Sequence, residues 1–193
     1  MSTTSPLPSR LPPLIGRVYC VGDDVGADDI LAPEYLTFDL DDPQERRWLG
    51  AYALAGLAGQ RGEFVAVGEF RSPFSIVVAG RRFGHGSARL HSPIALAEAG
   101  VGCVVAETFS SGFLRAATNA GLLLGLTFAR SGEWKRVETG AKVRIDLEQP
   151  ALHVGSERLA LTPPGARRDI VQAGGLAEYL RHTIPVQPAA PPR

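Results

Sequence analysis

The chain alternates between continuous apolar runs and mixed segments, and this order predicts its secondary structure. Residues 74–79 and 101–106 are nearly unbroken apolar runs rich in β-branched side chains, which is typical of strands buried on both faces of a sheet. The segment 94–100 between them has a helical pattern and ends at Gly100, a residue type that often follows the end of a helix. A strand, a turn, a helix and a second strand in this order predict a βαβ unit with a parallel pair of strands.

The remaining segments extend this unit into one α/β domain. From residue 142 onward apolar and polar positions alternate, which predicts antiparallel strands with one face in water. Further elements are predicted as strands at 16–21, 63–67 and 122–128, and as helices opening at Pro43, at 113–120 and at 169–180. The predicted fold is therefore α/β, with a mixed, largely parallel central β-sheet, flanking helices and an antiparallel C-terminal portion.

Both ends of the chain are rich in proline, so we predict unstructured tails at 1–13 and 184–193 and one domain at 14–183. The composition is that of an ordinary globular protein, with 45% hydrophobic and 21% charged residues. A net charge of zero gives no general attraction to nucleic acid, and no apolar run reaches the length that spans a membrane. The N-terminal segment lacks the apolar core of a targeting sequence. We therefore expect a cytoplasmic protein that binds neither nucleic acid nor membranes.

The two cysteines offer no metal site. Cys20 and Cys103 both lie inside apolar runs, where a buried free thiol is expected. Neither has a second cysteine or a histidine at ligand spacing. We therefore expect that this chain binds no zinc ion or iron–sulfur cluster by itself, and that any such cluster would belong to another chain.

Residues 80–93, which we call the glycine turn, connect the strand at 74–79 to the helix that follows. Gly84 and Gly86 permit left-handed backbone and the close approach of a ligand, while Ser87 and Arg89 supply a hydroxyl group and a cation. The spacing matches neither a dinucleotide fingerprint nor a phosphate loop, so a small carboxylate is the better candidate ligand. The helix after the turn could begin at Ser87 or be capped by Ser92, and the sequence leaves both open.

An acidic loop follows the first predicted strand. Residues 22–30 contain four aspartates but lack the alternating spacing and the terminal glutamate of a calcium loop. A solvated turn that uses aspartate for local backbone hydrogen bonds remains one interpretation. Ligands of open α/β sheets bind at the carboxyl ends of strands, and the glycine turn and residues 107–111 lie at such ends.

Four segments, taken in order, resemble the small subunit of 3-isopropylmalate dehydratase, which is the detached swivel domain of the aconitase superfamily. The resemblance covers roughly residues 16–181. The segments are 21–30, similar to the family's Thr-Asp-x-Ile loop; 80–93, similar to Gly-x-x-Phe-Gly-x-Gly-Ser-Ser-Arg-Glu-His-Ala-Pro; 109–123, similar to the segment that ends Gly-Leu-Leu-Pro; and 174–180.

This resemblance implies a swivel domain that docks on a large subunit carrying a [4Fe–4S] cluster. It also implies an activity, the reversible dehydration and rehydration of a hydroxy-dicarboxylate in leucine biosynthesis. By alignment with the family motifs, Ser87 would be the catalytic base and Arg89 the group that grips a substrate carboxylate. Asp28 would be an orienting group in the same cavity, and Gly86 and Ala88 would line the substrate.

The glycine turn also departs from the family pattern. Ala88 stands where the family usually has a second serine, and Leu90 stands where it has glutamate. His85 replaces a position that is often cysteine or another small residue, and we interpret it as structural or partner-facing. Arg81 and Arg82 could be surface charges or could add to a field that attracts a dicarboxylate. These departures leave two alternatives open: a dehydratase subunit for another methyl- or alkyl-substituted malate, and a non-catalytic module that binds or docks a carboxylate.

Overall fold

The apolar runs of the sequence form the central strands of one sheet. The computed structural model describes residues 14–86 and 89–183; the predicted tails, Ser87 and Ala88 lie outside these ranges. Within the described residues, seven strands lie in the order β4-β3-β2-β1-β5-β6-β7. Their bounds are β1 Leu14–Gly22, β2 Ile76–Ala79, β3 Cys103–Ala106, β4 Leu124–Thr127, β5 Lys142–Asp146, β6 Ala151–Val154 and β7 Glu157–Ala160.

The long first strand joins two kinds of pairing. The first half of β1, residues 14–17, pairs antiparallel with β5, whereas residues 18–22 pair parallel with β2. The strands β2, β3 and β4 continue the parallel part, and β5, β6 and β7 form the antiparallel part. The predicted α/β class with a mixed sheet is therefore confirmed.

Seven α-helices flank the sheet in the described residues. They are α1 Ala27–Ile30, α2 Pro43–Tyr52, α3 Ala58–Arg61, α4 His91–Glu98, α5 Ser111–Asn119, α6 Ala166–Gln172 and α7 Leu176–Thr183. The helix after the glycine turn begins at His91, so Ser92 lies in its first turn rather than at its cap. Its buried hydroxyl group instead donates a hydrogen bond to the carbonyl oxygen of Ala27 at 3.1 Å, which ties α4 to α1.

Both faces of the parallel strands are buried, each against a different layer. On β2, Val77 and Ala79 belong to a core cluster shared with α2, α4 and α5. The alternate residues Ile76 and Val78 belong to a second cluster shared with the antiparallel strands β5, β6 and β7. Because successive side chains point to opposite faces, a strand covered on both sides needs an apolar residue at every position, which explains the unbroken runs.

The strand predicted at 63–67 is wrong, since this segment is a loop. Phe64 is buried, and its ring packs against Tyr19 at a centroid distance of 5.0 Å. Its carbonyl oxygen accepts a hydrogen bond from the Ser72 hydroxyl at 2.6 Å, so a side chain rather than a neighbouring strand satisfies that backbone group. Val67, in contrast, is 90% exposed.

In residues 14–86 and 89–183, no helix has the length and apolar character needed to cross a membrane.

Candidate active site

The loops that follow three neighbouring parallel strands meet at one edge of the sheet. After β2, the Gly80 amide donates to the carbonyl oxygen of Gly22 at the end of β1, at 2.7 Å. The Phe83 amide donates to the carbonyl oxygen of Thr108, which follows β3, at 3.0 Å. The Phe83 ring is fully buried and meets Phe113 edge to face, at a centroid distance of 5.1 Å. This edge, at the carboxyl ends of parallel strands, is where open α/β sheets bind ligands.

The acidic loop and the glycine turn are bound to each other through Asp24. All three polar groups of Asp24 contact the turn. Its amide donates to the carbonyl oxygen of Arg81 at 2.8 Å, and its carboxylate accepts from Nε of Arg82 at 2.6 Å. Its carbonyl oxygen lies 3.1 Å from Nε2 of His85. A single aspartate therefore contacts three residues of the turn, Arg81, Arg82 and His85.

Two further backbone hydrogen bonds continue this contact. The Gly84 amide donates to the carbonyl oxygen of Val25 at 2.8 Å, and the Ala27 amide donates to that of His85 at 2.7 Å. Gly26 and His85 also form a parallel β-bridge. We call residues 23–27 and 81–85 together the clasp, because they pair side by side and hold the two loops at a fixed spacing.

The clasp contains backbone strain that its contacts offset. Asp24 and Arg82 have φ angles of +60° and +58°, a left-handed conformation that is uncommon for residues other than glycine. Their side chains form an ion pair with each other, and the Arg82 amide donates to the hydroxyl oxygen of Thr108 at 2.9 Å. Gly84 has a φ of +75°, and a Cβ atom there would lie 2.4 Å from the Phe113 ring. Glycine is therefore required at Gly84 for both conformation and space.

The clasp brings together the loops that carry the predicted site residues. Asp28 is exposed in the first turn of α1, directly after the clasped Ala27. Gly86, at a φ of +95°, follows the clasp on the other side and borders open space. Arg89 is exposed, and it forms no ion pair or hydrogen bond among residues 14–86 and 89–183. Ser87 and Ala88 lie outside the described residues, so their roles remain predictions.

The charges of the clasp are paired with each other. The Arg81 amide and guanidinium donate to the Asp23 carboxylate at 2.7 and 3.2 Å, and these contacts lower the pKa of Asp23. The hydrogen bond from Arg82 lowers the pKa of Asp24. Consequently Arg81 and Arg82 each have a carboxylate partner, whereas Arg89 has none among residues 14–86 and 89–183. Sequence reasoning missed this pairing, because two consecutive aspartates and two consecutive arginines become a signal only once β1 and β2 are known to be neighbours.

Comparisons with known proteins identify the family of this chain. A family model of the aconitase C-terminal domain matches residues 63–131. A small subunit of 3-isopropylmalate dehydratase from Arabidopsis thaliana is 32% identical over 180 residues, which is 91% of this chain and 71% of the relative. One from Methanopyrus kandleri is 35% identical over 173 residues, covering 88% and 94%. The chain belongs to the family of 3-isopropylmalate dehydratase small subunits.

The fold gives the same answer. A crystal structure of 3-isopropylmalate dehydratase (leuD) from Methanocaldococcus jannaschii superposes with a TM-score of 0.71 at 30% identity, over 89% of this chain and 95% of that one. The family predicted from the sequence motifs is confirmed, and so is the prediction of a dehydratase subunit with a swivel-type α/β domain. The segment that the family model matches includes β2, α4, β3 and α5, and therefore the described part of the glycine turn.

The thiols of this family member are poor metal ligands. Burial raises the pKa of Cys103, which lies in the core between strands. Burial also raises the pKa of Cys20 to about 11, and its Sγ donates to the carbonyl oxygen of Val137 at 3.1 Å. Since metals bind the thiolate, these protonated thiols do not suit a metal site. Across the part of the chain that the structure describes, no three His, Cys, Asp or Glu side chains are grouped to hold a metal ion.

A concave region lies apart from the clasp. A pocket of about 400 Å³, which we call the aromatic pocket, lies between α2 and the loop 63–70. Its walls include Trp48, Tyr52, Phe64, Phe70 and the exposed Val67. It shares no lining residue with the clasp. Trp48 is 47% exposed, so this helix presents an aromatic side chain to solvent that the helical pattern had placed in the core.

Proposed function

We propose that this chain is the small subunit of a two-subunit dehydratase that interconverts hydroxy-dicarboxylate isomers by removing and re-adding water, with 3-isopropylmalate of leucine biosynthesis as the substrate. The observation that carries the proposal is the clasp, which ties the loop of Asp28 to the turn that leads through Gly86 to Arg89. The names of the family relatives support the substrate. The cytoplasm, expected from the sequence, is part of the same proposal.

Arg89 is assigned to one carboxylate of the substrate. Its guanidinium is exposed and unpaired among the described residues, so it is available for a bidentate contact with a carboxylate. Arg81 and Arg82 are less suitable because each is already paired with an aspartate. Gly86 adds a left-handed position without a side chain, where a ligand can approach the backbone closely.

Ser87 is assigned the role of base, on the strength of the family motif. Removal of the proton next to a carboxylate needs a group that accepts it, and a serine alkoxide would do so. Because the alkoxide is negative, a cation two residues away at Arg89 favours its formation. Asp28, on the facing loop, would orient a hydroxyl group of the substrate by accepting a hydrogen bond from it.

The large subunit completes the site. Its [4Fe–4S] cluster would supply the Lewis acid that takes the leaving hydroxide. The residues of the small subunit then bind the carboxylate, orient the hydroxyl group and hold the abstracted proton. Docking would also exclude water, which strengthens the contact between Arg89 and a carboxylate.

A related substrate is the second candidate. Leu90 is 39% exposed beside Arg89, and it lies at the N-terminal cap of α4 without a capping hydrogen bond. An apolar side chain at this position would suit a malate with a different alkyl substituent. The same reaction and the same roles of Ser87 and Arg89 would apply to it.

The test is co-expression of this chain with the large subunit from the same genome under anaerobic conditions. The purified complex is assayed by the ultraviolet absorbance of the unsaturated intermediate, with 3-isopropylmalate and a series of methyl- and alkyl-substituted malates. We expect turnover, and the preferred acid identifies the substrate. The proposal is overturned if a complex with an intact cluster turns over none of these acids while the Methanopyrus kandleri enzyme is active in the same assay.

A further inference from the structure

We propose that His85 is a positioning residue, whose imidazole ring fixes the spacing between the Asp28 loop and the segment that carries Gly86 and Arg89. The functional consequence rests on the proposed function, because that proposal assigns the roles of these residues. The structural part, that the ring holds the two loops together, stands on the geometry of the clasp alone.

His85 contacts the opposite loop with its backbone and its ring. Its carbonyl oxygen accepts from the Ala27 amide at 2.7 Å, and it forms a β-bridge with Gly26. Its Nε2 lies 3.1 Å from the carbonyl oxygen of Asp24. The ring also lies 3.3 Å from the point where a Cβ atom of Gly26 would be, so it packs directly over that glycine. One residue therefore contacts Asp24, Gly26 and Ala27 of the loop.

The position of His85 along the chain makes this contact important. The next residue, Gly86, has no heavy atom within 4 Å of the point where its Cβ atom would lie. The ring therefore contacts the facing loop one residue before Gly86, which borders open space. On the facing loop, Asp28 follows Ala27 directly. A shift of the ring would therefore change the separation of Asp28 and Gly86.

The contact does not depend on the protonation state of the ring. A carbonyl oxygen only accepts, so Nε2 must carry the proton. Nε2 carries it both in this neutral tautomer and in the imidazolium form. The charged groups on the facing loop are Asp24, which is paired with Arg82, Asp29, whose carboxylate accepts from the Gly26 amide, and the exposed Asp28. His85 therefore acts through geometry rather than by carrying a proton.

Three substitutions in the assembled complex test this role. His85→Ala removes the donor. His85→Gln places an amide nitrogen near the position of Nε2, whereas His85→Asn places one near Nδ1, which the structure does not use. We expect His85→Ala and His85→Asn to lower kcat/KM about tenfold, the effect of one lost hydrogen bond, mainly through a higher KM. His85→Gln should retain wild-type kcat/KM within about twofold, and its pH profile should superimpose on that of the wild type.

Hydrogen exchange on the same complexes supplies a readout that is independent of catalysis. We expect the Ala27 and Gly84 amides, both bound across the clasp, to exchange faster in His85→Ala and at the wild-type rate in His85→Gln. The inference is overturned if His85→Ala matches the wild type in both kinetics and exchange, or if His85→Gln is as impaired as His85→Ala. If the wild-type complex turns over no alkyl malate, the proposed function fails, and exchange alone still decides the role of His85.

Discussion

The clasp and the aromatic pocket differ in every property by which binding sites are usually recognised. The pocket is concave, encloses about 400 Å³ and is lined by aromatic rings. The clasp is a polar rim at the ends of strands, with exposed ion pairs; four residues further along the chain, Arg89 is exposed and has no ion pair among the described residues. A search for apolar concavity would select the pocket. The proposed function instead places the substrate site at the clasp.

The difference is expected if the active site is divided between two chains, as the proposed function has it. A site completed by a partner subunit is open on each chain alone, so its residues are exposed until docking. The aromatic pocket is more enclosed, but its carboxylates are Glu63 and Glu69, which lie at the surface. No cation lies among the residues that line it, so it does not suit a dicarboxylate. In a chain that functions in a complex, exposed polar side chains therefore indicate a site that the partner completes.

The largest expected effect is a loss of kcat that occurs on substitution in the glycine turn and not in the aromatic pocket. Ser87→Ala in the complex should lower kcat by about 10²–10⁴-fold, because it removes the proposed base. Trp48→Phe and Val67→Ser, both in the aromatic pocket, should leave kcat within about twofold. Steady-state assays of complexes with equal cluster content provide the measurement. Equal activity of Ser87→Ala and the wild type would remove Ser87 from the mechanism.

The next effect is on stability and concerns two glycines of the same turn. Gly84→Ala should lower the free energy of unfolding by about 3 kcal/mol or more, since its Cβ would overlap the Phe113 ring and its φ is positive. Gly86→Ala should cost only about 1–2 kcal/mol, because its positive φ is the sole penalty and the space is open. Thermal unfolding of both variants measures the difference. Equal losses would mean that the turn packs differently from the structure.

A smaller effect should distinguish Arg89 from the paired arginines of the clasp, Arg81 and Arg82. Arg89→Lys should raise KM for the dicarboxylate about 10–100-fold, because lysine cannot form the bidentate contact. Arg47→Lys is the matched control near the aromatic pocket, where the guanidinium lies 4.7 Å from the centroid of the Phe70 ring. It should leave KM unchanged. An unchanged KM in Arg89→Lys would assign the carboxylate contact to another cation.

The sequence alone was sufficient for the fold because the decisive signals were local. Unbroken apolar runs marked the strands buried on both faces, and alternation marked β5 to β7. The strand predicted at 63–67 failed because Phe64 points into the core while its backbone bonds to Ser72, a contact that no periodicity encodes. Similarly, Trp48 has the spacing of a core residue, and only the course of the loop 63–70 shows that it lines a pocket.

The site was predictable in part. The residues of the glycine turn and Asp28 were identified from motifs, and the structure brings their loops together. The role of Asp24 was not predictable, because it depends on a left-handed conformation and on three contacts with residues about sixty positions away in the sequence. Pairing of this kind follows from which strands are neighbours. It could be inferred only after the order of β1 and β2 was known.

The smallest effect concerns the ion pairs of the clasp and the pH at which they contribute. Since Arg82 lowers the pKa of Asp24 in the folded chain, the pair stabilises the fold above the unfolded pKa of about 3.9 and loses this effect as the pH falls through the lowered folded pKa. Asparagine tolerates the left-handed conformation, so Asp24→Asn removes only the charge. The substitution should lower Tm at pH 7 by less than about 2 °C, because the ion pair of Asp24 and Arg82 is exposed.

This difference in Tm between Asp24→Asn and the wild type should shrink as the pH falls from 7 toward the lowered pKa of Asp24, because the wild-type carboxylate is then increasingly protonated and neutral. Glu69→Gln is the control in the aromatic pocket, and its carboxylate has no ion pair among the described residues, so it should leave Tm unchanged at pH 7. Differential scanning calorimetry between pH 3 and pH 7 measures both variants. A difference that grows as the pH falls would reverse the sign and show that the carboxylate of Asp24 is not stabilised by Arg82.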